Sequence, residues 1–301
     1  MTRNQTFIKG FALAALLPLL AACSNDDNGL PQDNEAQPVQ INIGTRANYD
    51  GTDYTWQEND QIGLNIMNFG SSSPTAYTLI YGANGSWTST PSPITATLPA
   101  TVEAWYPLTA SASEFSFQHD GEEVQISINS QWLNGTVDQS SNALLTQNDW
   151  MTSGQNTISS LSPSLTLQHR LAKVTVNIQS SETVSEVRFF SYSPNVLTGV
   201  TDVGPKYLAV NPLKSDNSNT YTAIVSAFYY NGDPGRLPFM KIKVGEKEKL
   251  YTLPRNIGTQ GKLSAGLAYT FNLTVNTTAT RSAGTPECEL ELVEVRDMNE
   301  E

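Results

Sequence analysis

Leu165-Thr166-Leu167-Gln168-His169-Arg170-Leu171-Ala172-Lys173-Val174-Thr175-Val176-Asn177-Ile178 is the stretch on which the fold turns. Apolar residues occupy odd positions first (Leu165, Leu167, Leu171) and even positions afterwards (Ala172, Val174, Val176, Ile178). Side chains of a strand alternate between its two faces, so this ribbon must change its buried side near Leu171 and Ala172. Two explanations fit the pattern: the ribbon serves two different cores, or one extra residue makes a bulge within a single sheet.

On either side of this stretch the chain reads as short strands. Before it they are expected at Val39 to Ile43, Gln61 to Asn68, Thr75 to Tyr81, Ile94 to Leu98, Val102 to Tyr106, Glu114 to Gln118 and Glu122 to Ser127. Asp120-Gly121 is a hairpin signal between the last two. After it they are expected at Ser185 to Tyr192, Thr220 to Tyr230, Phe239 to Val244, Lys249 to Leu253, Leu267 to Val275 and Glu289 to Val295. Gly, Pro, Asn and Ser punctuate them at the spacing of a β-sandwich. Asn231 to Gly235 has strong turn chemistry. A short helix or turn is expected near Ser141 to Leu145, and no long amphipathic helix is found.

The chain has 301 residues, which makes two domains the first expectation. Its first residues belong to neither. Arg3 and Lys9 precede the apolar run Phe11 to Leu20, which is too short to span a bilayer and reads as a signal peptide over residues 1–22. Leu20-Ala21-Ala22-Cys23 resembles the lipobox of bacterial lipoproteins, in which the thiol of Cys23 would carry diacylglycerol. Each buried methylene of such an anchor contributes about 0.8 kcal/mol. Residues 23–38 are polar, contain two prolines, and read as a flexible tether. The acidic run after Cys23 looks like the signal that sends Bacteroidetes lipoproteins to the cell surface.

Losing residues 1–22 removes Arg3 and Lys9 and no acid, so the formal charge moves from −12 to −14. That acidity argues against nucleic-acid binding, which requires clustered Lys and Arg. The only cysteines are Cys23 and Cys288, and a lipidated Cys23 excludes a disulfide within the chain. Cys288 alternates with acids in a strand-like segment and reads as a small core residue.

Signals for catalysis are missing from the sequence. His119 and His169 have no ligand set around them in sequence apart from Asp120, and a transition-metal site needs three or four ligands. No GxSxG, HExxH or phosphate-binding glycine loop occurs. Neighbouring acids such as Glu122 and Glu123 point to opposite faces of a strand and cannot pair across a cleft. No cofactor and no enzymatic activity are expected. The five tryptophans, Trp56, Trp87, Trp105, Trp132 and Trp150, read as core residues, with sugar-stacking platforms as the competing role.

An ordered set of segments is similar to one family. They are Thr45-Arg46-Ala47, Trp56 with Asp60-x-Ile62-Gly63, Ala104-Trp105-Tyr106-Pro107, Leu144-Leu145, and Leu167 to Val174. With the lipobox they resemble the fimbrillins, lipoprotein pilins of Bacteroidetes that build type V pili, and the Mfa-like branch most of all. The resemblance implies an all-β chain of two tandem transthyretin-like Greek-key β-sandwich domains, 39–168 and 169–301. It implies a structural or adhesive fimbrial subunit at the cell outer membrane. Its partners would be other pilin subunits bound by strand exchange, the membrane through the lipid on Cys23, and host or microbial surface ligands.

In such proteins an arginine-directed protease removes the lipidated segment and the first strand. Here the matching site is Arg46, with Ala47 as the new N-terminus and Val39 to Ile43 as the strand lost. Relatives commonly end their last strand in tryptophan, whereas this chain has Arg296-Asp297-Met298. Either Glu287 to Val295 is the donor strand, carried by Cys288, Leu290 and Leu292, or the subunit is a tip or anchor. On this reading Leu165 and Leu167 close the first sandwich, Val174, Val176 and Ile178 open the second, and His169 to Ala172 form the crossing. A surface glycan-binding lipoprotein of a polysaccharide-uptake system is the alternative, with Trp87 or Trp132 as its sugar platform.

Overall fold

In a computed structural model of the chain, the described residues are 35–44, 48–49, 54–108, 136–192, 207–226, 238–254, 257, 263–275 and 290–298. The strands expected at Glu114 to Gln118 and Glu122 to Ser127 and the loop Asn231 to Gly235 lie outside them.

The chain begins with short pieces: β1 (Gln37–Pro38), β2 (Asn42–Ile43), β3 (Asn48–Tyr49) and β4 (Tyr54–Thr55). Longer strands follow: β5 (Gln61–Asn68), β6 (Thr75–Tyr81), β7 (Trp87–Thr90), β8 (Thr95–Ala96) and β9 (Ala100–Tyr106). After β10 (Thr136–Asp138) comes the helix α1 (Asn142–Gln147), then β11 (Met151–Thr152), β12 (Asn156–Ile158), β13 (Ser164–Leu165) and β14 (Gln168–His169). The remainder is β15 (Ala172–Ser180), β16 (Val184–Tyr192), β17 (Tyr207–Asn211), β18 (Leu213–Lys214), β19 (Thr220–Val225), β20 (Met240–Val244), β21 (Lys247–Tyr251), β22 (Leu267–Val275) and β23 (Glu291–Asp297). The all-β reading therefore holds, with one short helix among the described residues, capped by Ser141, whose side chain accepts from the Leu144 amide.

Three sheets carry the architecture. The first runs β14-β11-β9-β5-β6-β7, with β12 also paired to β9. The second runs β10-β17-β16-β20-β21 and the third β18-β19-β15-β22-β23. Apolar side chains fall into two hydrophobic clusters. One gathers Ile62, Leu64 and Ile66 of β5, Val102 and Ala104 of β9, and the flanking Val39, Ile41, Leu165 and Leu167. The other gathers Val174, Val176 and Ile178 of β15 with Phe189, Ile242, Phe271 and Leu273 from its neighbours.

The ribbon changes core between Leu167 and Leu171, ahead of the change of phase at Leu171 and Ala172, both of which lie in the second cluster. Leu165 and Leu167 are buried in the first cluster, and Leu171, Ala172, Val174, Val176 and Ile178 in the second. The ribbon is cut into three pieces, β13, β14 and β15, rather than bulged within one sheet. Of these pieces β13 feeds only the first cluster and β15 only the second, and β14 between them belongs to neither.

The second cluster also takes Val137, Leu145 and Trp150, which precede the crossing in sequence. The strand β10 reaches it by pairing in parallel with β17, Val137 opposite Val210. Gln139 follows directly, fully buried: its Nε2 donates to the Ile224 carbonyl at 2.9 Å and its Oε1 accepts from the Ile224 amide at 2.7 Å. One side chain thereby does the hydrogen bonding that a neighbouring strand would do along the end of β19 that β18 leaves uncovered.

Candidate functional site: an inserted first strand and an edge strand

Residues 37–44 lie between two segments and bond to both. On one edge β1 pairs antiparallel with β8, and the Val39 amide donates to the Ile94 carbonyl at 2.9 Å. On the other edge β2 pairs in parallel with β13. There the amides of Gln40, Asn42 and Gly44 donate to the carbonyls of Leu161, Pro163 and Leu165 at 2.8, 3.0 and 2.9 Å. Val39 and Ile41 are buried in the first cluster, and Ile43 packs against it half-buried. Withdrawing this ribbon would leave carbonyls unpaired along both rims and an apolar floor, a slot that a strand of any origin with apolar residues at alternate positions can fill.

Arg46 and Ala47, the expected processing position, lie just beyond this ribbon and outside the described residues, as do Cys23 and Cys288. The other two candidate donor residues are placed. Leu290 is buried in the second cluster, and Leu292, at the start of β23, packs against it half-buried. The strand β23 pairs antiparallel with β22 and is, among the described residues, the last strand of its sheet. The described part of the candidate donor, from Leu290 on, is thus held by its own chain.

The crossing between the clusters holds buried charge. His169 Nδ1 lies 2.9 Å from Asp149 Oδ1, both side chains almost wholly buried, and the ring nitrogen donates because a carboxylate can only accept. Sequence spacing could not pair them: they meet because β14 lies against β11, Met151 opposite His169. Glu103 on β9 is buried and accepts from the Thr152 hydroxyl at 3.3 Å. Burial pushes its carboxyl above the ordinary carboxylate value, against the lowering by that hydrogen bond and by Arg170. Burial likewise lowers the Lys173 ammonium to about 7, opposed by Asp149 and assisted by Arg296. The Tyr106 phenol is pushed up by burial and by Asp60 and Asp149. Among the described residues no group of three or more His, Cys, Asp or Glu is placed to hold a metal ion. His169 is a buried partner of Asp149 at the crossing.

The tryptophans divide between the clusters. Trp150 lies in the second. Trp105 covers Gly63 on the adjacent strand, where an added Cβ would collide with the indole ring. Trp56 and Trp87 pack against the first cluster with ring centroids 5.0 Å apart, edge to face, and Trp56 makes a second edge contact with Tyr106 at 5.4 Å. Trp87 spends its ring on this packing, which weakens it as a sugar platform. Trp132 lies outside the described residues.

Comparison with known proteins places this geometry. Among solved structures the chain is similar to a protein of Bacteroides uniformis ATCC 8492 proposed to act in cell adhesion: TM-score 0.53, 17% identity, covering 89% of this chain and 100% of that one. A protein of Bacteroides ovatus ATCC 8483 proposed to act in cell adhesion gives 0.53 and 15%, covering 87% and 98%. The tip fimbrial protein Mfa3 of Porphyromonas gingivalis, with a C-terminal truncation, gives 0.52 and 9%, covering 87% and 100%. At these identities the likeness is one of fold. A search of curated protein sequences found no match. A family model described as fimbrillin-like matches residues 45–290, most of the chain, with the crossing stretch inside it, and the protein therefore belongs to the fimbrillin-like family.

Proposed function

We propose that this fimbrillin-like protein is a fimbrial subunit exported as a lipoprotein on Cys23 and assembled by strand exchange after cleavage at Arg46. Its two clusters would be the cores of two tandem β-sandwich domains that meet near residues 168 and 169. The observation that carries the reading is the ribbon of residues 37–44, hydrogen-bonded on both edges and apolar toward the first cluster. Its follow-on segment Thr45-Arg46-Ala47 offers a basic cleavage site at the point where removal would free the whole ribbon. A removed strand leaves unpaired carbonyls and exposed apolar surface, and a strand from a neighbouring subunit satisfies both at once. The spacing of Cys288, Leu290 and Leu292 repeats that of Val39, Ile41 and Ile43, so the chain's own last segment has the side-chain pattern the slot needs. An adhesive role toward host or microbial surfaces is part of the same reading.

The test is genetic and chemical. Trypsin treatment of the wild-type protein should yield a ladder of polymers on unheated gels, and Arg46→Ala should abolish it while leaving the monomer folded. Equal ladders from both proteins would exclude Arg46 as the trigger, and no ladder from either would remove the shaft role.

A further inference from the structure

Four large apolar side chains are exposed among the described residues: Phe69, Leu161, Val293 and Val295. Two of them, 55% and 46% exposed, lie on β23, which among the described residues ends the third sheet. A seven-residue edge strand with exposed valines invites pairing with another strand. The opposite sheet edges differ: β18 has two residues, and β21 ends the second sheet with Lys247 and Lys249.

The register of β23 on β22 decides which strand fits. Thr270 lies opposite Glu294 and Phe271 opposite Leu292, so Val293 is one extra residue, a bulge. Leu292 and Val295 therefore share the face of Phe271 and Tyr269, which are buried, while Glu291, Glu294 and Arg296 share the outer face. In a regular strand, residues five apart, such as 291 and 296, point to opposite faces. The bulge brings these two into phase.

We propose that β23 pairs with β23 of a second copy of this chain about a two-fold axis, antiparallel, with Glu291 opposite the other copy's Arg296 and Leu292 opposite its Val295. By symmetry each pair occurs twice, giving two ion pairs on the outer face and two apolar pairs on the inner one. Val293 of each copy stands opposite Glu294 of the other, so the two extra residues meet at the axis. The bulge makes this register face-matched throughout, and the charge pattern makes it self-complementary. Two Glu294 carboxylates flank the axis and oppose the contact, and the buried area is small, so the dimer is a weak one. The contact needs β23 to stay in its own sheet and does not rest on strand exchange.

Sedimentation velocity on the purified full-length protein over a wide concentration range tests this. The wild type should show a reversible monomer–dimer equilibrium. Glu291→Arg and Arg296→Glu alone each place like charges opposite and should weaken dimerisation by about tenfold or more. The double variant E291R/R296E should restore it, and Glu294→Gln should tighten it. The three substituted positions are exposed, and circular dichroism verifies that each variant is folded. A wild type that stays monomeric throughout, single reversals that leave dimerisation unchanged, or a double variant that fails to regain it would each overturn the proposal.

Discussion

Gln139 bonds both backbone groups of Ile224 from a fully buried position, and its removal leaves both without partners. Gln139→Ala should cost about 3 kcal/mol, since each buried polar group left unsatisfied costs about 1–3 kcal/mol, and urea unfolding measures it. Gly63 is glycine because Trp105 lies where its Cβ would be. Gly63→Val should lower stability by about 1–3 kcal/mol and change the near-ultraviolet signal of the displaced indole. Lys173 gives a pH signature. Its folded value of about 7 lies below the ordinary lysine value of 10.5, so below pH 7 both states hold the proton and the cost of burying the charge is present in full. As pH rises from about 7 toward 10.5 the unfolded state binds more protons than the folded one, and stability rises. Lys173→Met should remove that rise, measured as the unfolding midpoint against pH. None of these roles was legible in the sequence. A glutamine that stands in for a strand, and a histidine that finds Asp149, depend on contacts that no local pattern encodes.

At the scale of elements, alternation was a good guide wherever a strand pairs on both sides. The ranges expected for Gln61 to Asn68, Thr75 to Tyr81 and Leu267 to Val275 coincide with β5, β6 and β22. The last strand was expected two residues early, because alternation through Leu290 and Leu292 hides the extra residue at Val293. The strand expected at Val39 to Ile43 forms, but as a ribbon over residues 37–44 whose two neighbours come from distant parts of the chain. Short strands without an apolar pattern, such as β10 and β18, could not be read: β10 exists because a parallel partner holds it. Proline at position 42 removes the amide that donates to Pro163 from the middle of that ribbon. Asn42→Pro should therefore destabilise the first cluster by about 3 kcal/mol. Hydrogen exchange should show the loss first in residues 161–165.

For the whole molecule, the change of phase at Leu171 and Ala172 carried the most information. It lies beside the point where the chain leaves one core for another: Leu167 is buried in the first cluster, and Leu171 and Ala172 are both buried in the second, where β15 begins. The sequence could not tell that the second cluster also recruits Val137, Leu145 and Trp150 from before the crossing, since their partners are set by long-range packing. Nor does pattern alone mark the first ribbon as the one to leave; that proposal rests on its place between two rims and on the basic residue after it. The central claim, that this ribbon leaves and a foreign strand takes its slot, has one direct measurement. Polymers formed by the trypsin-treated protein are isolated from an unheated gel and their subunits are sequenced from the N-terminus. The account predicts that every polymeric subunit begins at Ala47 and that residues 37–44 are absent from the polymer. Polymers whose subunits still carry Val39 to Ile43 would contradict it.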